Sequence, residues 1–397
     1  MTPRKAPAGE RRAILVTGYP GYIGKRLAAR IASGERHTDV YLLVQPKFLK
    51  DARRYAAALS EGRGNRIRLL AGDIVDMHLG LSGTEYRDMV SRLTHIFHLA
   101  AVSYLGAGRS QMFRVNVEGT RNVLELARDA RRLERLCHFS TCYVAGDRTG
   151  VIDEDELEAG QRFRNAYEES KYEAERLVRR AQSALPVTIL RPSAVIGDSQ
   201  TGEIDRFEGP YYLAIQLATS PINVPLPLPQ NADAPLHVVP VDWVVEVAYA
   251  LAKDPRASGR TFHLVDPAPM STRRIYQLLA DRTQRKVRHL RVPPGPTSAI
   301  LRLPVLEKLL RPQRTALEYA NQMVFYRSAN TIELLDGTGI RCPQPTQYLD
   351  TLVRFVRETA RRKRDERIED ALDRPAEPPA EPAAKPAAGE APGGPRR

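Results

Sequence analysis

The feature that most constrains this chain is the octet Thr17-Gly18-Tyr19-Pro20-Gly21-Tyr22-Ile23-Gly24. It follows a short apolar run, Ala13-Ile14-Leu15-Val16-Thr17, which reads as a buried parallel strand. It leads into Ile23 to Ile31, where apolar residues recur at helical spacing. At such a junction each glycine has a use. Gly18 permits the tight turn, Gly21 lets backbone approach a ligand without a Cβ clash, and Gly24 lets the helix pack closely on the strand. The helix N-terminus then offers unpaired N–H groups and a partial positive charge, which suit the pyrophosphate of a dinucleotide. Glycine spacing alone is weak evidence. Its position at the first strand-to-helix junction makes it specific.

The pattern that follows repeats the same alternation. Asp39–Val44, Ile67–Ala71, His95–Leu99, Leu136–Ser140 and Pro186–Leu190 read as further strands. Asn116 to Arg128 and Tyr167 to Ala181 read as helices between them. Strand and helix alternating at this pitch predict a doubly wound parallel α/β sheet. The 397 residues leave room for a second, smaller part. The expected division is a flexible N-terminus over 1–11, a dinucleotide-binding domain over 12–200 with its last elements contributed by 230–265, a substrate-binding cap over 201–360, and a disordered tail over 375–397. The tail is rich in Pro, Ala and Glu and cannot bury enough apolar surface to offset its ordering entropy.

Other global features narrow the class. Residues 1–12 are charged and do not read as a signal peptide. No run of about 18 apolar residues occurs, so no transmembrane helix is expected. Three cysteines, Cys137, Cys142 and Cys342, are too few for a disulfide scaffold and fit a reducing, cytoplasmic setting. No metal-type spacing is present, and no metal is expected. The formal net charge is +13. Residues 254–364 contain 21 basic and 9 acidic side chains and so carry nearly all of it. A charge confined to the substrate half favours an anionic substrate or partner over nucleic acid.

Tyr167-Glu168-Glu169-Ser170-Lys171 places a phenol and an ammonium four residues apart, on one helix face. The Lys charge is expected to favour the phenolate and lower the Tyr pKa, fitting it for proton transfer to a developing alkoxide. The spacing is not specific by itself, since composition supplies roughly 0.4 such pairs by chance. Context adds to it. Ser140 and Thr141 put hydroxyls at the carboxyl end of a parallel strand, where open α/β sheets bind ligands. After the second strand the sequence runs Val44-Gln45-Pro46-Lys47, with Lys50 beyond. An acidic residue there would bind a ribose 2′-hydroxyl. Its absence, with basic residues following, favours NADP(H) over NAD(H).

These residues resemble the extended short-chain dehydrogenase/reductase family. The motifs agree in order: T-G-x-x-G-x-x-G at Thr17 to Gly24, G-D-I at Gly72 to Ile74, H-L-A-A at His98 to Ala101, V-N-x-x-G-T at Val115 to Thr120, S-T-C-Y-V-A-G at Ser140 to Gly146, Y-x-x-S-K at Tyr167 to Lys171, R-P-S at Arg191 to Ser193, and V-P-V-D at Val239 to Asp242. Finer features resemble its fatty acyl reductase and thioester reductase (male sterility) branch: Leu79-Gly80-Leu81-Ser82, the Thr of S-T-C-Y-V, and Arg191 to Gly202. Gln45 departs from that branch, where an Arg is common.

The resemblance implies roles. Gly18, Tyr19, Pro20, Gly21, Tyr22, Ile23 and Gly24 would hold the pyrophosphate, with Gln45 and Lys47 near the adenosine ribose. Asp73 and Ile74 would meet the adenine, and Ala100 and Ala101 would line the cleft. Thr141 would hydrogen-bond the substrate carbonyl. Tyr167 would act as acid/base, and Lys171 would bind the nicotinamide ribose. Asn116 would lie behind the site, and Pro192 and Ser193 near the nicotinamide. Ser140 is the adjacent candidate for the catalytic hydroxyl and a candidate substrate residue; Phe207, Tyr211 and Tyr212 are candidates for an apolar substrate wall or else ordinary core aromatics. The implied activity is NADPH-dependent reduction of a long-chain acyl thioester, an acyl-CoA or an acyl carrier protein, to aldehyde or alcohol. The rivals are a ketone or secondary-alcohol dehydrogenase, a nucleotide-sugar epimerase or dehydratase, and a non-catalytic NADPH-sensing regulator. A monomer or homodimer is expected. Ser298 to Leu310 reads as a core-facing helix, with peripheral contact with anionic membrane at the inner face as the alternative.

Overall fold

The computed structural model describes residues 11–59, 64–104, 106–205, 215, 226–227, 231–284, 286–288, 319 and 321–372. Its strands are β1 (Ala13–Thr17), β2 (Asp39–Val44), β3 (Arg66–Ala71), β4 (His95–His98), β5 (Arg135–Phe139), β6 (Gly150–Ile152), β7 (Val187–Pro192), β8 (Ala194–Ile196), β9 (Leu226–Pro227), β10 (Val238–Pro240), β11 (Thr261–Leu264), β12 (Val287–Arg288) and β13 (Val324–Tyr326). Its helices are α1 (Tyr22–Gly34), α2 (Leu49–Ala57), α3 (Gly83–Arg92), α4 (Arg109–Phe113), α5 (Gly119–Asp129), α6 (Ala166–Ala181), α7 (Val241–Lys253), α8 (Thr272–Thr283), α9 (Ala329–Leu335) and α10 (Pro345–Leu372).

The chain forms the doubly wound parallel sheet that its alternation predicts. Seven strands run in the order β11-β7-β5-β4-β1-β2-β3, with every neighbouring pair parallel. The order reverses between β1 and β4. Such a switch point opens a crevice at the carboxyl ends of the strands. The sequence reading found six of these strands. The seventh, β11, pairs with β7 at the edge and is an addition to the strands read from the alternation.

Alternation along the strands divides the core between the two faces. Ile14 and Val16 join Leu27 and Ile31 of α1 and Trp243, Val244 and Val247 of α7 on one face. Leu15, Ile96 and Leu136 join Met89 of α3, Val123 and Leu126 of α5 and Val178 of α6 on the other. Leu27 and Ile31 are fully buried, each worth ~2–3 kcal/mol against exposure. A third cluster joins Ile196, Val238, Ile275 and Leu279 to Tyr348, Leu352 and Val356. Short parallel pairs, β8 with β10 and β6 with β13, knit the later chain to the earlier. The first compact unit runs to Val356, and residues from Arg357 form a second. No helix among the described residues is long and apolar enough to cross a membrane.

Where Asn116 to Arg128 reads as one helix, the structure opens on a π turn, Arg114–Glu118, between α4 and α5. A π turn disturbs the regular ladder and commonly marks a functional position. Here it carries Asn116.

Candidate active site

The glycine loop sits where β1 turns into α1, at the switch point. Gly18 has φ +82°, in the left-handed region that favours glycine. A Cβ on Gly18 would lie 2.8 Å from the amide nitrogen of Ala100, so the β1 and β4 loops touch backbone to backbone. A Cβ on Gly24 would lie 2.7 Å from the Gly18 carbonyl oxygen. Gly21 is the N-cap of α1, with no side-chain cap and no acidic residue in the first turn. The helix therefore keeps its first N–H groups and positive end for an anion. The uncapped helix and the glycine cradle fit a dinucleotide pyrophosphate. Ser193, expected near the nicotinamide, keeps a buried hydroxyl without a hydrogen-bond partner. Gly24→Val is expected to weaken dinucleotide binding by at least about tenfold, because the clash is with backbone; fluorescence titration with NADPH measures it.

The other residues expected around this loop divide into two groups. Tyr19 turns into the core and donates to the Ala52 carbonyl at 3.4 Å. Ile74 packs its side chain into the core against the Cα of Gly119. The side chains of both residues are thus taken up by the core, which leaves their backbone for a ligand. Tyr22 donates to the carbonyls of Ile196 at 2.9 Å and Glu203 at 3.1 Å, tying the loop helix to the chain after β8. Gln45 donates to Asp73 at 2.6 Å. Lys47 stands exposed on the turn after β2, its ammonium 4.9 Å from the Phe48 ring centroid. Ala100 and Ala101 lie half-buried and exposed, respectively, beyond β4.

A second group gathers at the carboxyl end of β5. Thr141 is buried, donates to the Pro192 carbonyl at 3.3 Å and caps the turn that follows it. It lies close enough to Tyr167, which α6 presents from its first turn, for its hydroxyl to favour the phenolate. Asn165 caps α6 and so fixes where Tyr167 begins the helix. Asn116 clamps the loop after β4, accepting from the Val102 amide at 2.8 Å and donating to the Val102 carbonyl at 3.1 Å. It also donates to Ser170 at 2.9 Å, and Ser170 donates to the Tyr167 carbonyl at 3.0 Å.

Two expectations change. Burial pushes the Tyr167 phenol up to about 12, only partly opposed by Thr141. The Lys171 charge is not among the causes acting on it. Lys171 is buried and donates to the Phe139 carbonyl at 2.6 Å, and burial lowers its ammonium to about 8 against the pull of Glu175. Desolvation disfavours both charged forms and outweighs the expected phenolate stabilisation. Ser140, read as the alternative to Thr141 and a candidate substrate residue, instead donates to the buried Glu175 at 2.6 Å. Phe207, Tyr211, Tyr212 and the stretch Ser298 to Leu310 lie outside the described residues.

Two partners were not read from the sequence. Glu175 follows Lys171 by one helical turn, so the i, i+4 spacing was a usable signal. Tyr319 had none. Its hydroxyl donates to Glu168 at 2.6 Å and its ring packs on Tyr143, with centroids 4.5 Å apart. Charge in the later chain is also partly matched: Arg256, Arg260, Arg273, Arg282 and Arg327 all form ion pairs.

Comparison with known proteins places this geometry. Residues 16–248 match the family described as male sterility protein, an NAD-binding domain. Over 287 residues the chain is 25% identical to the fatty acyl-CoA reductase wat of Drosophila melanogaster, covering 61% of this chain and 54% of that one. It is 28% identical over 277 residues to the nonribosomal peptide synthetase asaC of Aspergillus flavus, covering 64% of this chain and 26% of that one. The chain thus spans about half of the first relative and a quarter of the second. Among solved structures, the terminal R domain of the myxalamid PKS-NRPS pathway superposes with a TM-score of 0.72 at 27% identity, covering 89% of this chain and 92% of that one.

Proposed function

The chain belongs to the male sterility protein family of NAD-binding domains, and we propose that it is an NADPH-dependent oxidoreductase that reduces an acyl thioester. The observation that carries this reading is the grouping of Thr141, at the carboxyl end of β5, with Tyr167 and buried Lys171 on one face of α6. Names among its relatives, a fatty acyl-CoA reductase and a terminal R domain, support a thioester carbonyl as substrate. Lys47, and the lack of a carboxylate at the end of β2, support the phosphorylated dinucleotide.

In this reading the glycine loop and α1 seat the pyrophosphate, Lys171 the nicotinamide ribose, and Pro192 and Ser193 the ring. The bound cofactor supplies hydride to the carbonyl carbon. Thr141 and Tyr167 hydrogen-bond the carbonyl oxygen, and Tyr167 gives up its proton as negative charge develops there. A phenol held up at about 12 stays protonated until that moment. The resulting hemithioacetal releases thiol and leaves aldehyde. The long-chain acyl group comes from the family resemblance and the fatty acyl-CoA reductase relative. The basic cap suits an anionic carrier, CoA or an acyl carrier protein.

Turnover with NADPH and palmitoyl-CoA, a steroid ketone and a nucleotide sugar tests the reading. NADPH oxidation is expected with palmitoyl-CoA, and faster than with NADH; none with any acyl thioester overturns it. Lys171 also gives a pH dependence. Turnover is expected to hold below about pH 8 and fall above it, as the ammonium loses its proton. A kcat profile from pH 6 to 10 checks this.

A further inference from the structure

Thr17, His98, Thr120 and Asn116 form an unbroken run of hydrogen bonds beneath the cleft. Thr17 Oγ1 accepts from the amides of Leu99 and Ala100, each at 3.2 Å, and lies 2.9 Å from His98 Nδ1. A hydroxyl oxygen has two lone pairs and one hydrogen. The two amides take the lone pairs, so the hydrogen goes to Nδ1, which must be bare. The proton of the neutral imidazole is then on Nε2, 3.0 Å from Thr120 Oγ1. Thr120 in turn donates to the Asn116 carbonyl at 2.6 Å. Each group has one role, and the ring has one tautomer. His98 is 2% exposed, and burial, with the Lys171 charge, lowers its pKa to about 3, so the ring stays neutral.

We propose that His98 is a positioning residue that transmits the seating of a dinucleotide in the glycine loop to the π turn carrying Asn116. Thr17 precedes Gly18 directly, and Gly18 abuts Ala100. Backbone drawn towards a pyrophosphate therefore bears on the Thr17 end of the run. The other end holds the carbonyl of Asn116, whose side chain clamps Val102 and, through Ser170, the first turn of α6. The inference rests on reading the cleft as a dinucleotide site.

Amide hydrogen exchange with and without NADPH tests it without needing a substrate. In the unaltered protein NADPH is expected to slow exchange at 18–25 and at 114–120. In Thr120→Val and His98→Phe the slowing at 18–25 should persist, while that at 114–120 falls at least about fivefold. His98→Gln, which keeps a donor near the Nε2 position, should recover part of it. Kinetics give a second readout. Thr120→Val is expected to lower kcat about tenfold at saturating NADPH with Kd for NADPH within about twofold, and Thr17→Val to raise Kd about tenfold. Retained slowing at 114–120 in Thr120→Val, or equal shifts of Kd and kcat in the two threonine variants, overturns the proposal. If His98→Phe does not fold, Thr120→Val decides alone. Failure of the unaltered protein to bind NADPH would instead overturn the dinucleotide reading.

Discussion

Tyr167→Phe is expected to lower turnover about 10²–10⁴-fold while leaving the Kd for NADPH within about twofold. The substitution removes one oxygen and keeps the ring, so the half-buried position stays filled and the first turn of α6 stays capped by Asn165. What is lost is the proton donor. Thr141 remains and can still hydrogen-bond the carbonyl oxygen, but its hydroxyl is shared with the Pro192 carbonyl and it is the weaker acid. The loss should fall on kcat, because the missing proton transfer belongs to the transition state. Steady-state kinetics beside a binding titration separate the two quantities. Turnover within about twofold of the unaltered protein would remove Tyr167 from the acid role. A parallel loss of NADPH affinity would point to disturbed packing instead.

Arg191→Met is expected to destabilise the fold by ~3–5 kcal/mol, read as a fall in the midpoint of urea unfolding. Arg191 and Glu175 are both almost fully buried and paired at 2.6 Å. Arg191 also donates to the carbonyls of Glu154 and Glu156, at 3.3 and 2.8 Å. Burial alone would raise the Glu175 pKa, but Arg191, then Arg179 and Ser140, outweigh it and hold the carboxyl at about 2. The sign for stability follows. The native pKa lies below the unfolded value near 4.3, so this contribution is full above about pH 5 and fades as pH falls towards 2. Removing Arg191 leaves Glu175 with Arg179, at the half-exposed end, and the Ser140 hydroxyl. The variant should therefore lose less, relative to the unaltered protein, at pH 4 than at pH 7. Glu175→Gln combined with Arg191→Met should recover part of the loss, since no lone buried charge remains. A single variant as stable as the original would show that buried Glu175 does not depend on Arg191.

This ion pair also shows where sequence reading stopped. Tyr167, Lys171 and Glu175 share a helix face by spacing alone, so their grouping was within reach. Arg191 was visible only as part of R-P-S. That its guanidinium would meet Glu175, two backbone carbonyls and His263 depends on how α6 lies across β7 and β11. The glycine loop was readable because its cause is local: a strand, a tight turn and an uncapped helix within a few residues. Tyr319 was not, because its contacts with Glu168 and Tyr143 join positions far apart in the chain.

By itself, then, the sequence determined the parallel sheet, the glycine loop at its first turn, and the order in which Asn116, Thr141, Tyr167 and Lys171 come together. These follow from period, turn chemistry and spacing, which act over a few residues. The tertiary structure decided which way each group faces and in what dielectric. It turned Lys171 to the Phe139 carbonyl, gave Ser140 to Glu175, buried Tyr19 and Ile74, and raised the Tyr167 phenol. It also fixed the tautomer of His98 through Thr17 and Thr120. Protonation and orientation depend on burial and on partners brought in from distant strands, and no local pattern encodes either.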